Sequence, residues 1–160
     1  MKSGLILMIA ILGAIITLTQ VNAEEYKDNS LCLTKESIYF SCTLENKKTI
    51  SLCGEKDNIL RYKYGTQTLI ELGYPSSNHK MANSFYRINA SGGSVQMDII
   101  KFKIGHYTYN FYDSFFDGIA VWGPNGLVLK KTCESNIQNN INANLLKRIP
   151  ERPQQGNNFD

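Results

Sequence analysis

Four cysteines frame the chain: Cys32, Cys42 and Cys53 fall within its N-terminal third, and Cys133 stands alone 80 residues beyond Cys53. In an oxidising compartment an even number of cysteines reads as two disulfides. Three pairings are open, and each ties Cys133 back to the N-terminal third, closing a loop of at least 80 residues that stabilises by about 4 kcal/mol on the chain-entropy model. The two ends of the fold must therefore meet. Metal ligation is the rival use of cysteine, but no pair has the spacing of a zinc knuckle, and His79 and His106 sit at ligand spacing neither with each other nor with a cysteine. No metal is expected.

The oxidising compartment is itself read from the N-terminus. Met1 and Lys2 give a cationic start, an apolar run from about Leu5 to Leu18 carries no charge, and Val21-Asn22-Ala23 fits the small-residue cleavage rule. Residues 1–23 are thus expected to be an export signal, with the mature chain beginning near Glu24. The apolar run is short of the ~20 residues that span a bilayer, and no cysteine follows the cut to take a lipid. A periplasmic or secreted location follows, with no membrane partner after cleavage.

The mature chain has about 137 residues, the size at which one domain closes one core. That domain is expected over 24–149, with a mobile tail over 150–160, where "PERPQQGNNFD" shows no apolar period. Without Lys2 the balance is 16 basic against 14 acidic residues. No basic cluster of the kind that binds phosphate backbones is present, so nucleic acid is not an expected partner. Nine tyrosines and seven phenylalanines supply core material.

Apolar residues recur mostly every second position, the strand period. "SIYFSCTL" and "KTISLC" flank a turn at "ENKK" and read as a hairpin. In "ILRYKYG", Leu60, Tyr62 and Tyr64 alternate with Arg61 and Lys63, which predicts one core face and one wet face. "TLIELGYP", "SFYRIN", "SVQMDIIKFKI", "HYTYNFYD", "GIAVW" and "GLVLKKTC" complete about nine strands, the last two joined by the turn Gly123-Pro124-Asn125-Gly126. The predicted class is all-β, a mainly antiparallel meander closed as a barrel or sandwich. One C-terminal helix is predicted over 134–149, where Ile137, Ile141 and Leu145 recur every four residues.

Catalytic signatures are missing: there is no nucleophile elbow, phosphate loop, metalloprotease helix or dinucleotide fingerprint. Carboxylate pairs remain available in number, but Glu45 and Glu55 lie in or beside turns, and His106 heads a strand as an exposed residue. The expectation is a protein that is not an enzyme and needs no cofactor. The aromatic alternation "HYTYNFYDSFF" reads first as core. Its second reading is a sheet face that holds a glycan or a partner in the cell envelope.

Between two strands stands "SGGS", Ser91 to Ser94. It is a hairpin tip by turn chemistry, and its small side chains also suit a loop that enters a narrow cleft. Ser91 and Gly92, mid-chain before a long strand, together with the β-meander and the cysteines, resemble the periplasmic lysozyme inhibitors of Gram-negative bacteria. That family carries a Ser-Gly-x-x-Tyr loop. This chain departs from it, running Ser94-Val95 where the motif has Tyr. The resemblance implies an inhibitory loop of Ser91, Gly92, Gly93 and Ser94 set against the catalytic carboxylates of a lysozyme or other peptidoglycan hydrolase, with Arg87 supplying a cation. An immunity protein against a cell-wall-degrading toxin would share that location and logic. The strings "CLTKESIYFSC", "KTISLC", "LRYKYG" and "ELGYP" also resemble uncharacterised exported bacterial β-rich proteins.

Overall fold

The computed structural model describes residues 25–55, 58–76, 80–90, 97–112 and 117–153. The expected export signal and Ser91 to Ser94 lie outside them. Four strands form a first meander: β1 (Ser37–Leu44), β2 (Thr49–Glu55), β3 (Ile59–Thr66) and β4 (Leu69–Tyr74). Residues 45–48 turn between β1 and β2 as expected, with Lys47 at φ 63° and the Leu44 N–H donating to the Lys48 carbonyl at 2.8 Å. Gly65 is required at the β3 register shift, because a Cβ there would stand 2.2 Å from the Leu69 carbonyl oxygen.

A second meander contains β5 (Tyr86–Asn89), β6 (Asp98–Ile104), β7 (Tyr107–Tyr112), β8 (Gly118–Gly123) and β9 (Gly126–Asn139). All neighbouring pairs are antiparallel, in the order β4-β3-β2-β1-β9-β8-β7-β6-β5. The strand β9 joins the two meanders. Its residues Gly126 to Thr132 pair with β8, and Cys133 to Asn139 pair with β1. Register shifts in β1 and Asn136 at φ 53° bend this junction.

The sheet curls so that its concave faces meet. Phe40 of β1 packs edge-on against Phe111 of β7 at 4.6 Å, and Phe102 of β6 lies 5.0 Å from Tyr62 of β3 and 4.8 Å from Tyr74 of β4. One buried cluster draws on both meanders. The result is a half-barrel, intermediate between the two closures expected: β4 and β5 do not pair with each other. A one-turn helix α1 (Met81–Ser84) sits at this seam, where the Tyr74 hydroxyl donates to the Ser84 carbonyl and the Tyr74 ring meets Phe85.

The disulfides are Cys32–Cys53 and Cys42–Cys133, one of the three open pairings. The second staples β1 to β9 where the two meanders join. The buried Glu36 carboxylate accepts from the Leu33 N–H at 2.6 Å and from Lys63 Nζ at 2.7 Å, fixing the N-terminal segment against β3.

Two expectations require correction. The C-terminal helix is one turn, α2 (Ala143–Leu146), rather than a helix over 134–149. Residues 134–139 continue β9, because Cys133 is locked to Cys42 and the ladder with β1 runs on from it through Asn139. Asn142 caps α2 by accepting from Asn144 and Leu145 N–H groups, and Leu145 is fully buried. The start of the tail is not free either. The Arg87 N–H donates to the Pro150 carbonyl and the Arg152 N–H to the Arg87 carbonyl, both at 2.9 Å. Glu151 thereby bridges the outer edge of β5, and Arg152 lies over the Tyr86 ring at 4.3 Å. Residues 154–160 lie outside the described residues.

Candidate functional site

Alternation places the site. In β3, Tyr62 and Tyr64 point to the concave face. In β7, Tyr107 and Tyr109 do so, and cross-strand pairing aligns Ile119 with Lys131 and Val121 with Leu129. These side chains surround an open cavity of about 590 Å³, completed by Leu44, Asn46, Glu71, Leu72 and Val128. Cavities of ~300–1,000 Å³ are the size that holds small ligands. It opens where the sheet divides: over Gly126 to Thr132, β9 pairs with β8 and has no ladder with β1.

The walls are aliphatic and the deep end aromatic. Tyr109 stacks on the buried Phe102 at 4.8 Å and 11°, and Tyr62 lies 6.3 Å from Tyr109. Burial pushes the Tyr62 phenol far above its ordinary value, with Tyr109 and Tyr64 adding to the effect. Burial likewise raises Tyr109, helped by Tyr107. Neither the Tyr62 nor the Tyr109 hydroxyl has a hydrogen-bond partner among the described residues. Both are neutral groups that can donate or accept.

Charge at the mouth is unevenly matched. Glu71 is the one carboxylate lining the cavity among the described residues, and it is bound to Lys48 at 2.6 Å. That hydrogen bond raises the Lys48 ammonium above its usual value. Asn46 donates to the Tyr64 hydroxyl at 3.1 Å. Lys131 is half-buried and has neither an ion pair nor a side-chain hydrogen bond among the described residues. At the rim, Val128 is 61% exposed, and beside it Leu127 is 51% exposed.

Of the residues the sequence singled out, Arg87 is placed and Ser91 to Ser94 are not described. Arg87 ion-pairs with Asp98 at 2.9 Å and with Glu151 at 2.5 Å, so its charge is matched within the fold and it ties the C-terminal segment to β5. The stem of its hairpin is regular, with Asn89 opposite Asp98 and the Ala90 N–H donating to the Met97 carbonyl at 2.8 Å. Of the described part of the aromatic run, Phe111 is core, as first expected, whereas Tyr107 and Tyr109 line the cavity. His106 is exposed, as expected.

Cys32, Glu36 and Cys53 bring three metal-ligand atoms within 4.8 Å, but the two sulfurs are joined to each other and Glu36 holds Lys63. Sequence reading missed Lys131 and Leu129 as site residues. The signal was present in "GLVLKKTC", whose alternation puts both on the face of Cys133, and Cys133 is bonded into the core.

No family model matches the chain, no curated protein matches it, and no solved structure matches it.

Proposed function

We propose that the protein is a non-catalytic binding domain of the cell envelope, periplasmic or secreted, that takes an apolar ligand into the mouth of its half-barrel. The observation that carries this reading is the open cavity between the meanders, with Leu44, Leu72, Ile119, Val121 and Leu129 as walls and tyrosines at its deep end. A sugar ring is a poor occupant, since aliphatic walls leave most of its hydroxyls without partners, and each such group costs free energy to desolvate. An apolar body needs only the walls. The two disulfides are compatible with an oxidising, exported location.

The test is binding of the neutral fluorescent probe N-phenyl-1-naphthylamine to the oxidised protein. Saturable enhancement at one site is expected, lost in Leu129→Trp, which fills the mouth from a 41% exposed position. Enhancement unchanged in Leu129→Trp would place binding elsewhere and reject the reading.

Hydrolase inhibition is the second reading, supported by the regular pairing of β5 with β6, the strands between which Ser91 to Ser94 fall in the sequence. Cell-wall clearing by c-type, g-type and i-type lysozymes in the presence of the protein tests it directly. Inhibition that disappears when Ser91 and Gly92 are replaced with bulky residues would establish it. Full activity of all three enzymes would remove the lysozyme target.

A further inference from the structure

Resting on the reading of the cavity as a ligand site, we infer that its ligand is an amphipathic monoanion: an apolar chain bearing one negative head group, which Lys131 receives at the mouth. The first observation is the position of Lys131. It shares the concave face of β9 with Leu129 and with Cys133, whose sulfur is bonded to the buried Cys42. Its side chain therefore runs along the cavity wall rather than into bulk water.

The second observation is the charge balance. A half-buried lysine with no counter-ion among the described residues regains little of the hydration it gives up, which is why such groups are ordinarily paired. The one carboxylate on the lining among the described residues, Glu71, already holds Lys48, so that pair is neutral and Lys131 is the one charge on the lining without a partner among the described residues. A carboxylate, sulfate or phosphate monoester head would supply the missing partner in a charge-assisted bond. The lysine stem would continue the apolar wall beneath it.

The third observation is the polarity gradient. Around Lys131 the walls include Leu129, Val121 and Ile119, which demand a chain without hydrogen-bonding groups. At the deep end the Tyr62 and Tyr109 hydroxyls are uncharged and carry no partner among the described residues, so they tolerate an apolar chain end without adding a competing charge.

The experiment is displacement of N-phenyl-1-naphthylamine from the oxidised protein by dodecanoate, dodecanol and dodecyltrimethylammonium, in the wild type and in Lys131→Met and Lys131→Arg. Dodecanoate is expected to bind about tenfold or more tightly than the other two. Lys131→Met should bring it down to the level of dodecanol while leaving dodecanol unchanged, and Lys131→Arg should keep the preference. Equal displacement by dodecanoate and dodecanol in the wild type, or a preference that survives Lys131→Met, would overturn the head-group assignment and leave the apolar site standing. Failure of all three to displace a probe whose binding depends on Leu129 would overturn the alkyl-chain class itself. No probe binding at all would overturn the underlying reading and this inference with it.

Discussion

Replacing Cys42 and Cys133 with alanine cuts the covalent tie between β1 and β9, leaving the β1–β9 ladder to hold the two meanders together. The loop closed by this bridge spans 91 residues, against 21 for Cys32–Cys53. On the chain-entropy model the first is worth about 4.6 kcal/mol and the second about 3.3 kcal/mol. Cys32, Cys42 and Cys53 are fully buried and Cys133 is partly buried, so the two alanine pairs lose comparable packing and the entropic difference, about 1.3 kcal/mol, should set their order. Against a total stability of order 5–15 kcal/mol, C42A/C133A should retain about 1.3 kcal/mol less than C32A/C53A.

Equilibrium unfolding in urea, followed by the fluorescence of the single Trp122 and by far-UV circular dichroism, measures both. With an m-value of about 1.5–2.5 kcal/mol/M, the midpoint of C42A/C133A should lie about 0.5–1 M below that of C32A/C53A. Its m-value should also rise the more, because the longer loop had kept the unfolded chain compact. A C32A/C53A variant that is equally or more damaged would refute the loop-length reasoning and point to native-state packing around Cys32 and Cys53 as the larger contribution.

Arg87→Met should lower stability by about 1–2 kcal/mol, since it leaves Asp98 and Glu151 without their partner; limited proteolysis after Arg152 should then accelerate, and unchanged cleavage would show that the C-terminal segment is held otherwise. Phe102→Ala should cost about 3–5 kcal/mol in the same urea assay, because Phe102 contacts the rings of Tyr62, Tyr74, Phe85 and Tyr109; a loss below about 1 kcal/mol would contradict its place at the centre of the core. Alkaline pH should destabilise the fold in a defined window. Tyr62 is held neutral by burial, so the unfolded state releases its proton from about pH 10 while the native state retains it, and stability present below pH 10 falls by about 1.4 kcal/mol per pH unit, with Tyr109 adding in the same direction. Stability flat between pH 9 and 11, with a Tyr62→Phe variant behaving identically, would refute this.

The strands were legible because the signals that make them are local. In "ILRYKYG" the alternation that predicted a core face at Leu60, Tyr62 and Tyr64 is the alternation the fold uses. The turn at residues 123–126 is written in Pro and Asn-Gly chemistry that needs no distant partner. The apolar spacing of Ile137, Ile141 and Leu145 was equally real, but it belonged to two elements: Leu145 is buried in α2, while Ile137 is 49% exposed on β9. A four-residue recurrence cannot distinguish one helix from a strand and a turn when a remote strand competes for the backbone.

What the sequence determined by itself was the all-β class, the nine strands, most of their turns and the return of Cys133 to the N-terminal third. What only the tertiary structure decided was the division of β9 between β8 and β1, the choice of Cys42 as the partner of Cys133, the capture of residues 150–152 by β5, and the cavity with Lys131 at its mouth. The physical reason is range. Side-chain alternation and turn geometry are settled within a few residues. Strand order, disulfide partner and cavity shape depend on contacts between segments tens of residues apart, whose loop-closure cost is recovered when the whole sheet curls around one core.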